Sequence, residues 1–411
     1  MPGADTGIRE VILLTRRATL AGGAALLAAP AILSGAHAAD APIKIGNTMP
    51  YSGPASSYAS VGKADAGVFK MVNDLGGVAG RKIDFLSYDD AYSPPKTVEQ
   101  VRRLVEQDKV DFLFNTLGTP TNTAIERYCN QHKVPQLFVA TGANKWGDYK
   151  KFPWTIGWQP SYRTEAQIYT KYMLKANPKA KLAILYQNDD FGKDYPLGVR
   201  DILGKDWDKT VVKALTYETT DPTIDSQIAS MKSSGADTLL VAAIPKFAAQ
   251  AIRKVHDLAW KPMFFMTNVS ISVGAVMTPA GPENGVGIIS TLYLKDPADP
   301  SWDNDKGMQG FKKFMAKYVP GGDITDAGYI AGYGVTYTMW KVLEACKGDF
   351  SRENVMKNVT SIHDLEIPVL LPGLKVATSP TNYHPILGLQ PAKWDGKTWV
   401  RFGEVIEGVA T

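Results

Sequence analysis

Beyond residue 40 the chain alternates short apolar runs with stretches whose apolar positions recur every three or four residues. The runs IKIGNTM (43–49), KIDFLSY (82–88), VDFLFN (110–115), PQLFVA (135–140), KLAILY (181–186), TVVKALTY (210–217), TLLVAAI (238–244) and MFFMTN (263–268) predict strands. Several are almost continuous in Val, Ile, Leu and Phe, as in parallel strands covered by helices on both faces. Between them, Val98, Val101, Leu104 and Val105 form one helical face after Ser93-Pro94-Pro95, and Gly76-Gly77 ends the helix before it. The class is α/β. Two strand series, near 43–141 and 181–268, imply two Rossmann-like lobes with parallel sheets.

The remainder does not begin a third series. GVGIISTLY (285–293) reads as a strand, Trp302 to Tyr318 as a helix, and Tyr329 to Cys346 as a helix apolar on most sides, hence buried. The last forty residues read as a β-hairpin tail. A late helix returning to the first lobe and a tail returning to the second would give several crossing strands, which suits a hinge. The expected division is 42–157 with 289–378 for lobe 1, and 158–288 with 379–411 for lobe 2.

The first 38 residues are set aside. Thr15-Arg16-Arg17, an apolar run from Ala18 to Leu33 and small residues at Ala36 and Ala38 predict a cleaved export signal of twin-arginine type. The run is broken by glycines and Pro30 and is short of the roughly 20 residues that span a bilayer. Export implies a periplasmic location. With 411 residues, 45% hydrophobic, 21% charged and a net charge of only +4, the chain is globular and carries no basic excess that would call for nucleic acid. Cys129 and Cys346 fall in apparent helices, where one long-range disulfide and two buried thiols are equally compatible with the sequence.

Catalytic signatures are missing: no G-x-S-x-G, P-loop or H-E-x-x-H occurs, and GYGVTY (332–337) lacks the third glycine of a dinucleotide loop. The expectation is a non-enzyme without cofactor or metal. Open α/β sheets bind ligands beyond the carboxyl ends of their strands. There the sequence places PYSGPASSY, DDAYSPP, LGTPTN and ATGANKW, rich in small and hydroxyl residues, with Tyr51, Tyr58, Tyr92, Trp146 and Trp158 on or near the same edge. Thr119 or Thr121 as an N-cap, with Pro120 in the first turn, accounts for LGTPTN without any ligand. The alternative is a helix start whose free amides hold an anion.

The P-x-S-G-P-x-x-x-Y loop (50–58), the link GGVAGRKI (76–83) and Tyr88-Asp89-Asp90, in that order, resemble the mature start of periplasmic leucine/isoleucine/valine-type binding proteins. The likeness extends through FGKDYPLGV, FFMTN and the late hairpin. It implies a type I periplasmic binding fold, a monomer that captures a small solute between hinged lobes and delivers it to an inner-membrane ABC permease, or a sensor with the same cleft. It also implies a ligand site: Tyr58 as aromatic wall, Gly118 and Thr119 as carboxylate loop, Thr141, Gly142 and Ala143 as second carboxylate loop, Phe191 as the second lobe's aromatic, and Tyr329 at the late-helix edge.

The departures are chemical. Only Thr119 supplies the hydroxyl usually found as a serine, and the glutamate that pairs with an amino acid's ammonium is missing near Asn268 and Val269. Pro245 and Lys246 replace a tyrosine pair, and Tyr92 and Leu117 stand where the family's disulfide would be. The family default is a branched-chain or other hydrophobic amino acid. Aromatic or aliphatic carboxylates or amides are the alternative, because burying an unpaired ammonium is costly.

Overall fold

The computed structural model describes residues 41–408; the expected export segment lies outside them. The first sheet contains β1 (Ile43–Met49), β2 (Ile83–Asp89), β3 (Phe112–Phe114), β4 (Gln136–Val139) and β5 (Thr155–Gly157), in the order β2-β1-β3-β4-β5. All its pairings are parallel. The second contains β6 (Leu182–Gln187), β7 (Val211–Tyr217), β8 (Thr238–Ala242), β9 (Met263–Met266), β10 (Ile289–Leu292), β11 (Gly388–Trp394) and β12 (Trp399–Arg401), with β13 (Ile406–Glu407) paired to β11. Its order is β12-β11-β10-β9-β8-β6-β7, parallel from β7 through β10 and antiparallel at β11 and β12.

The wholly apolar runs are the central strands: Phe112, Leu113 and Phe114 are inaccessible, as are Leu239, Val241 and Ala242. Helices cover both faces of such strands, which removes the alternation seen in half-exposed sheets. The short β5 has no counterpart among the expected strands.

The chain crosses between lobes at 158–161, 293–305 and 377–387. The expected lobe boundary at 288/289 is therefore corrected: Ile289–Leu292 pairs with β9 and β11 in the second sheet, and the crossing follows it. Helix Ala327–Ala345 packs on helix Ala59–Asp74 of the first lobe. A Cβ at Gly332 would sit 2.5 Å from the Val61 carbonyl oxygen, so the glycines of GYGVTY serve close helix packing. Both cysteines are buried free thiols. No described helix is long and apolar enough to cross a membrane.

Candidate functional site

After β3, residues 115–118 lead into helix Thr119–Gln131. Its N-cap is Gly118, at φ 103° and ψ 144°, and no side chain caps it. A Cβ there would lie 2.5 Å from Cε2 of Tyr92 and 2.6 Å from Oγ1 of Thr121, so space and backbone both demand glycine. The expected threonine cap is corrected. Thr121 donates to the carbonyls of Leu117 and Gly118, while Oγ1 of Thr119 lies 2.5 Å from Oγ1 of Thr141. The Thr119 amide, at the positive end of the helix, finds no acceptor among the described residues.

The hydroxyl protons can be assigned. Thr141 Oγ1 accepts from the Ala143 amide at 3.2 Å and from Nε1 of Trp146 at 3.4 Å, so its own proton goes to Thr119. The Thr119 proton is then left for a third partner.

A cavity of about 150 Å³ opens beside this helix start, the size that admits one benzene ring. Tyr58, Gly118 and Thr119 border it from the first lobe, and Phe191 and Asn268 from the second. The walls mix aliphatic and aromatic side chains: Val61, Leu117, Ile244 and Leu292 line it, Tyr162 meets Phe191 edge-on at 4.9 Å between ring centres, and Trp158 meets Tyr293 at 5.9 Å. Two carboxylates, Asp296 and Asp326, stand at its border, and each accepts an amide of its own turn, Ala298 and Gly328 respectively.

Four expected contacts do not line the cavity. Thr141, Gly142 and Ala143 lie one layer behind it: Thr141 and Ala143 set the Thr119 proton, and the Gly142 carbonyl accepts the Tyr162 amide at 2.8 Å. Tyr329 points elsewhere, since its ring packs against Gly322 while Gly328, Ile330 and Ala331 of the same helix face the cavity. Conversely, Asn115, Tyr92, Trp158, Tyr162 and Tyr293 border it. Tyr92, Trp158 and Tyr293 each follow a strand end and carry the signal of strand-edge aromatics; Tyr162 opens a helix after a lobe crossing, where no strand end gives a cue. Lys246 bonds the Asp221 carbonyl at 3.0 Å and does not reach the cavity, nor do Asp189, Asp190 and Asp221.

The lobes are in contact across the cleft. The Tyr58 phenol donates to the Val269 carbonyl at 3.0 Å, the Asn144 amide to Asp194 at 2.7 Å, and Lys145 pairs with Asp190 at 3.2 Å. Behind the second-lobe wall, Glu165 is fully buried. Its Oε1 accepts from the Asn268 amide at 2.9 Å, the Thr291 hydroxyl at 2.8 Å and the Tyr169 phenol at 2.5 Å; its Oε2 accepts from Tyr195. Burial pushes its pKa up, against the pull of these donors.

Behind the first-lobe wall, Asp65 is also fully buried and accepts from Asn115 Nδ2 and Thr336 Oγ1, both at 2.8 Å. Burial outweighs these two bonds and pushes its pKa up to about 8. A carboxyl that holds its proton more tightly when folded stabilises most below its unfolded pKa near 4, and that contribution is lost as pH rises through 8. The melting temperature of Asp65→Asn relative to the unaltered chain is thus expected to be higher at about pH 8.5 than at about pH 5. A difference that does not change with pH would refute this.

A family model described as periplasmic binding protein matches residues 42–398. The Leu/Ile/Val-binding protein homolog 7 of Brucella abortus (strain 2308) is 23% identical over 386 residues, 90% of this chain and 94% of that protein. Among solved structures, a branched chain amino acid ABC transporter protein from Thermus thermophilus with bound valine superposes with a TM-score of 0.81 at 14% identity, covering 90% and 97% of the two chains. A solute binding protein of an ABC transporter from R. palustris, in complex with benzoate, superposes with a TM-score of 0.74 at 21% identity, covering 90% and 98%. The fold is thus the type I periplasmic binding fold that the sequence resembles.

Proposed function

The chain belongs to the periplasmic binding protein family, and from that premise we propose that it is the solute receptor of an ABC importer, closing its lobes on a small aromatic monocarboxylate. It works in the periplasm as a monomer, hands its ligand to an inner-membrane permease, and does no chemistry on it. The observation that carries the ligand class is the pairing of Thr119, a donor at an uncapped helix start, with an apolar cavity of one-ring size whose walls include Tyr58, Trp158, Tyr162 and Phe191. An anion suits the first and a ring suits the second. Closure follows ligand because both lobes line the cavity, so the contacts are complete only when the lobes meet.

The second reading is a branched-chain amino acid. The names of the relatives favour it, and Asp326 at the cavity border is the group that would meet an ammonium. Against it, segment 267–269 carries no carboxylate, and Asp326 Oδ1 already accepts from the Gly328 amide and the Ser272 hydroxyl, which leaves Oδ2 as the oxygen that would meet an ammonium.

A melting-temperature screen of residues 39–411 against benzoate, 4-hydroxybenzoate, hexanoate, leucine and valine separates the two. Ligand at about 100 times its Kd adds roughly 2.7 kcal/mol of stability. Benzoate-type acids are expected to raise the melting temperature and leucine to leave it unmoved; a shift by leucine or valine alone overturns the aromatic-acid reading.

A further inference from the structure

We propose that Tyr92 is a second donor to the ligand's carboxylate and that Gln187, on the opposite lobe, sets the direction of its proton. This rests on the reading that the ligand is a carboxylate.

The chain goes to some length to place this phenol. Ala91 and Tyr92 both have positive φ, 51° and 59°, which is uncommon for one residue other than glycine and more so for two in succession. The turn is held by carboxylates: Asp89 accepts the Ala91 amide at 3.0 Å and Asp90 accepts the Tyr92 amide at 2.9 Å. Such backbone persists only where its surroundings over-determine it, and it clusters at ligand sites. Here it lays the Tyr92 ring edge against the bare Cα of Gly118, next to the Thr119 amide and hydroxyl. Tyr92 borders the cavity and is 6% exposed.

What the phenol offers is decided by hydrogen accounting. The Ile244 amide donates to Tyr217 Oη at 3.0 Å, so Tyr217 gives its own proton to Gln187 Oε1 at 2.9 Å. That contact fixes the Gln187 amide, whose Nε2 faces Asp189 at 2.5 Å and Tyr92 Oη at 3.5 Å. The Tyr92 oxygen therefore accepts, and its proton is left for the cavity. Burial and the nearby Asp189 carboxylate keep the phenol protonated. Gln187 also stands between Asp189 and Tyr92, so that the carboxylate does not take the phenol's proton for itself.

The same logic governs Thr119, whose proton is freed by Thr141 within the first lobe. For Tyr92 the setting group belongs to the second lobe, so the second donor is aligned only when the lobes meet. A carboxylate would then find two neutral donors and a helix amide with no cation required, and its capture would be coupled to closure.

The test is calorimetric binding of benzoate and its neutral amide, benzamide, to the chain and to Tyr92→Phe, Gln187→Glu and Thr119→Val. Tyr92→Phe is expected to weaken benzoate about 10- to 100-fold, the loss of one hydrogen bond to a charged group, and benzamide by much less. Gln187→Glu, which turns the setting donor into an acceptor, is expected to weaken benzoate as strongly although its side chain makes no contact with the ligand. A purely structural role for either residue would weaken acid and amide alike, and that result overturns the proposal. Benzoate binding that Thr119→Val weakens but Tyr92→Phe leaves within twofold overturns this proposal and spares the carboxylate reading. Failure of the unaltered chain to bind benzoate, hexanoate or leucine overturns both.

Discussion

Replacing Glu165 with leucine is expected to lower the unfolding free energy by about 2–5 kcal/mol, the combined cost of orphaned donors and of a branched side chain that does not fit. The carboxyl is the shared acceptor for the Asn268 amide, the Thr291 hydroxyl and the phenols of Tyr169 and Tyr195. Tyr169 has a second acceptor in the Met266 carbonyl at 2.8 Å, and Tyr195 has Thr267 beside it. The Thr291 hydroxyl has the Tyr169 oxygen within reach, but the Asn268 amide has no second acceptor among the described residues, and an orphaned buried donor costs about 1–3 kcal/mol. Leucine also cannot fill the position without pressing on two phenols. Glu165→Gln keeps one acceptor oxygen and is expected to lose less than half as much. Urea unfolding of the three proteins, with equal m-values, measures this directly. A loss below about 1 kcal/mol for the leucine variant would show that the network contributes little. Because Asn268 and Thr291 both border the cavity, the same variant is expected to bind its ligand more weakly at temperatures where it stays folded.

The strands and their order of appearance were readable because buried parallel strands are continuous apolar runs, and Phe112–Phe114 or Thr238–Ala242 admit no other reading. The cleft edge was readable for a related reason: Tyr58, Thr119 and Phe191 follow strand ends, where this architecture collects its ligands. What was not readable depends on which way a side chain faces once the lobes are assembled. Tyr329 and its helical neighbours share one sequence signal, but only a one-residue rotation separates the cavity face from the core face, and Ile330 holds the former. Thr141 sits in the loop that was expected to touch ligand, yet its hydroxyl is consumed by Ala143, Trp146 and Thr119. Glu165 follows Ser161 as an ordinary first-turn acid of a capped helix, a pattern that describes a solvated carboxylate as well as a buried one. The placement of Tyr92 depends on two left-handed residues that no glycine announces.

Thr119→Val is expected to weaken carboxylate binding by about 10- to 150-fold, the equivalent of 1.5–3 kcal/mol for a hydrogen bond to a charged group, and to lower stability by about 1–3 kcal/mol because the buried Thr141 hydroxyl loses its acceptor. Valine keeps the branched shape at the first helical position and leaves the free backbone amide in place, so what is lost is one oriented proton. The loss is not confined to the ligand contact. Thr141 now gives its proton to Thr119 Oγ1, and with valine there that proton has no acceptor on this side. Thr119→Ser retains the hydroxyl and is expected to recover affinity to within a few-fold of the unaltered chain. Thr141→Val tests the layer behind: it removes the group that turns the Thr119 proton toward the cavity, so Thr119 keeps its hydroxyl but no longer its fixed direction. An intermediate loss is expected, larger for benzoate than for benzamide. Calorimetric titration of the three variants decides the matter. Affinity within twofold for Thr119→Val would remove the Thr119 hydroxyl from the ligand's contacts, whereas equal losses for acid and amide would make Thr119 a packing residue.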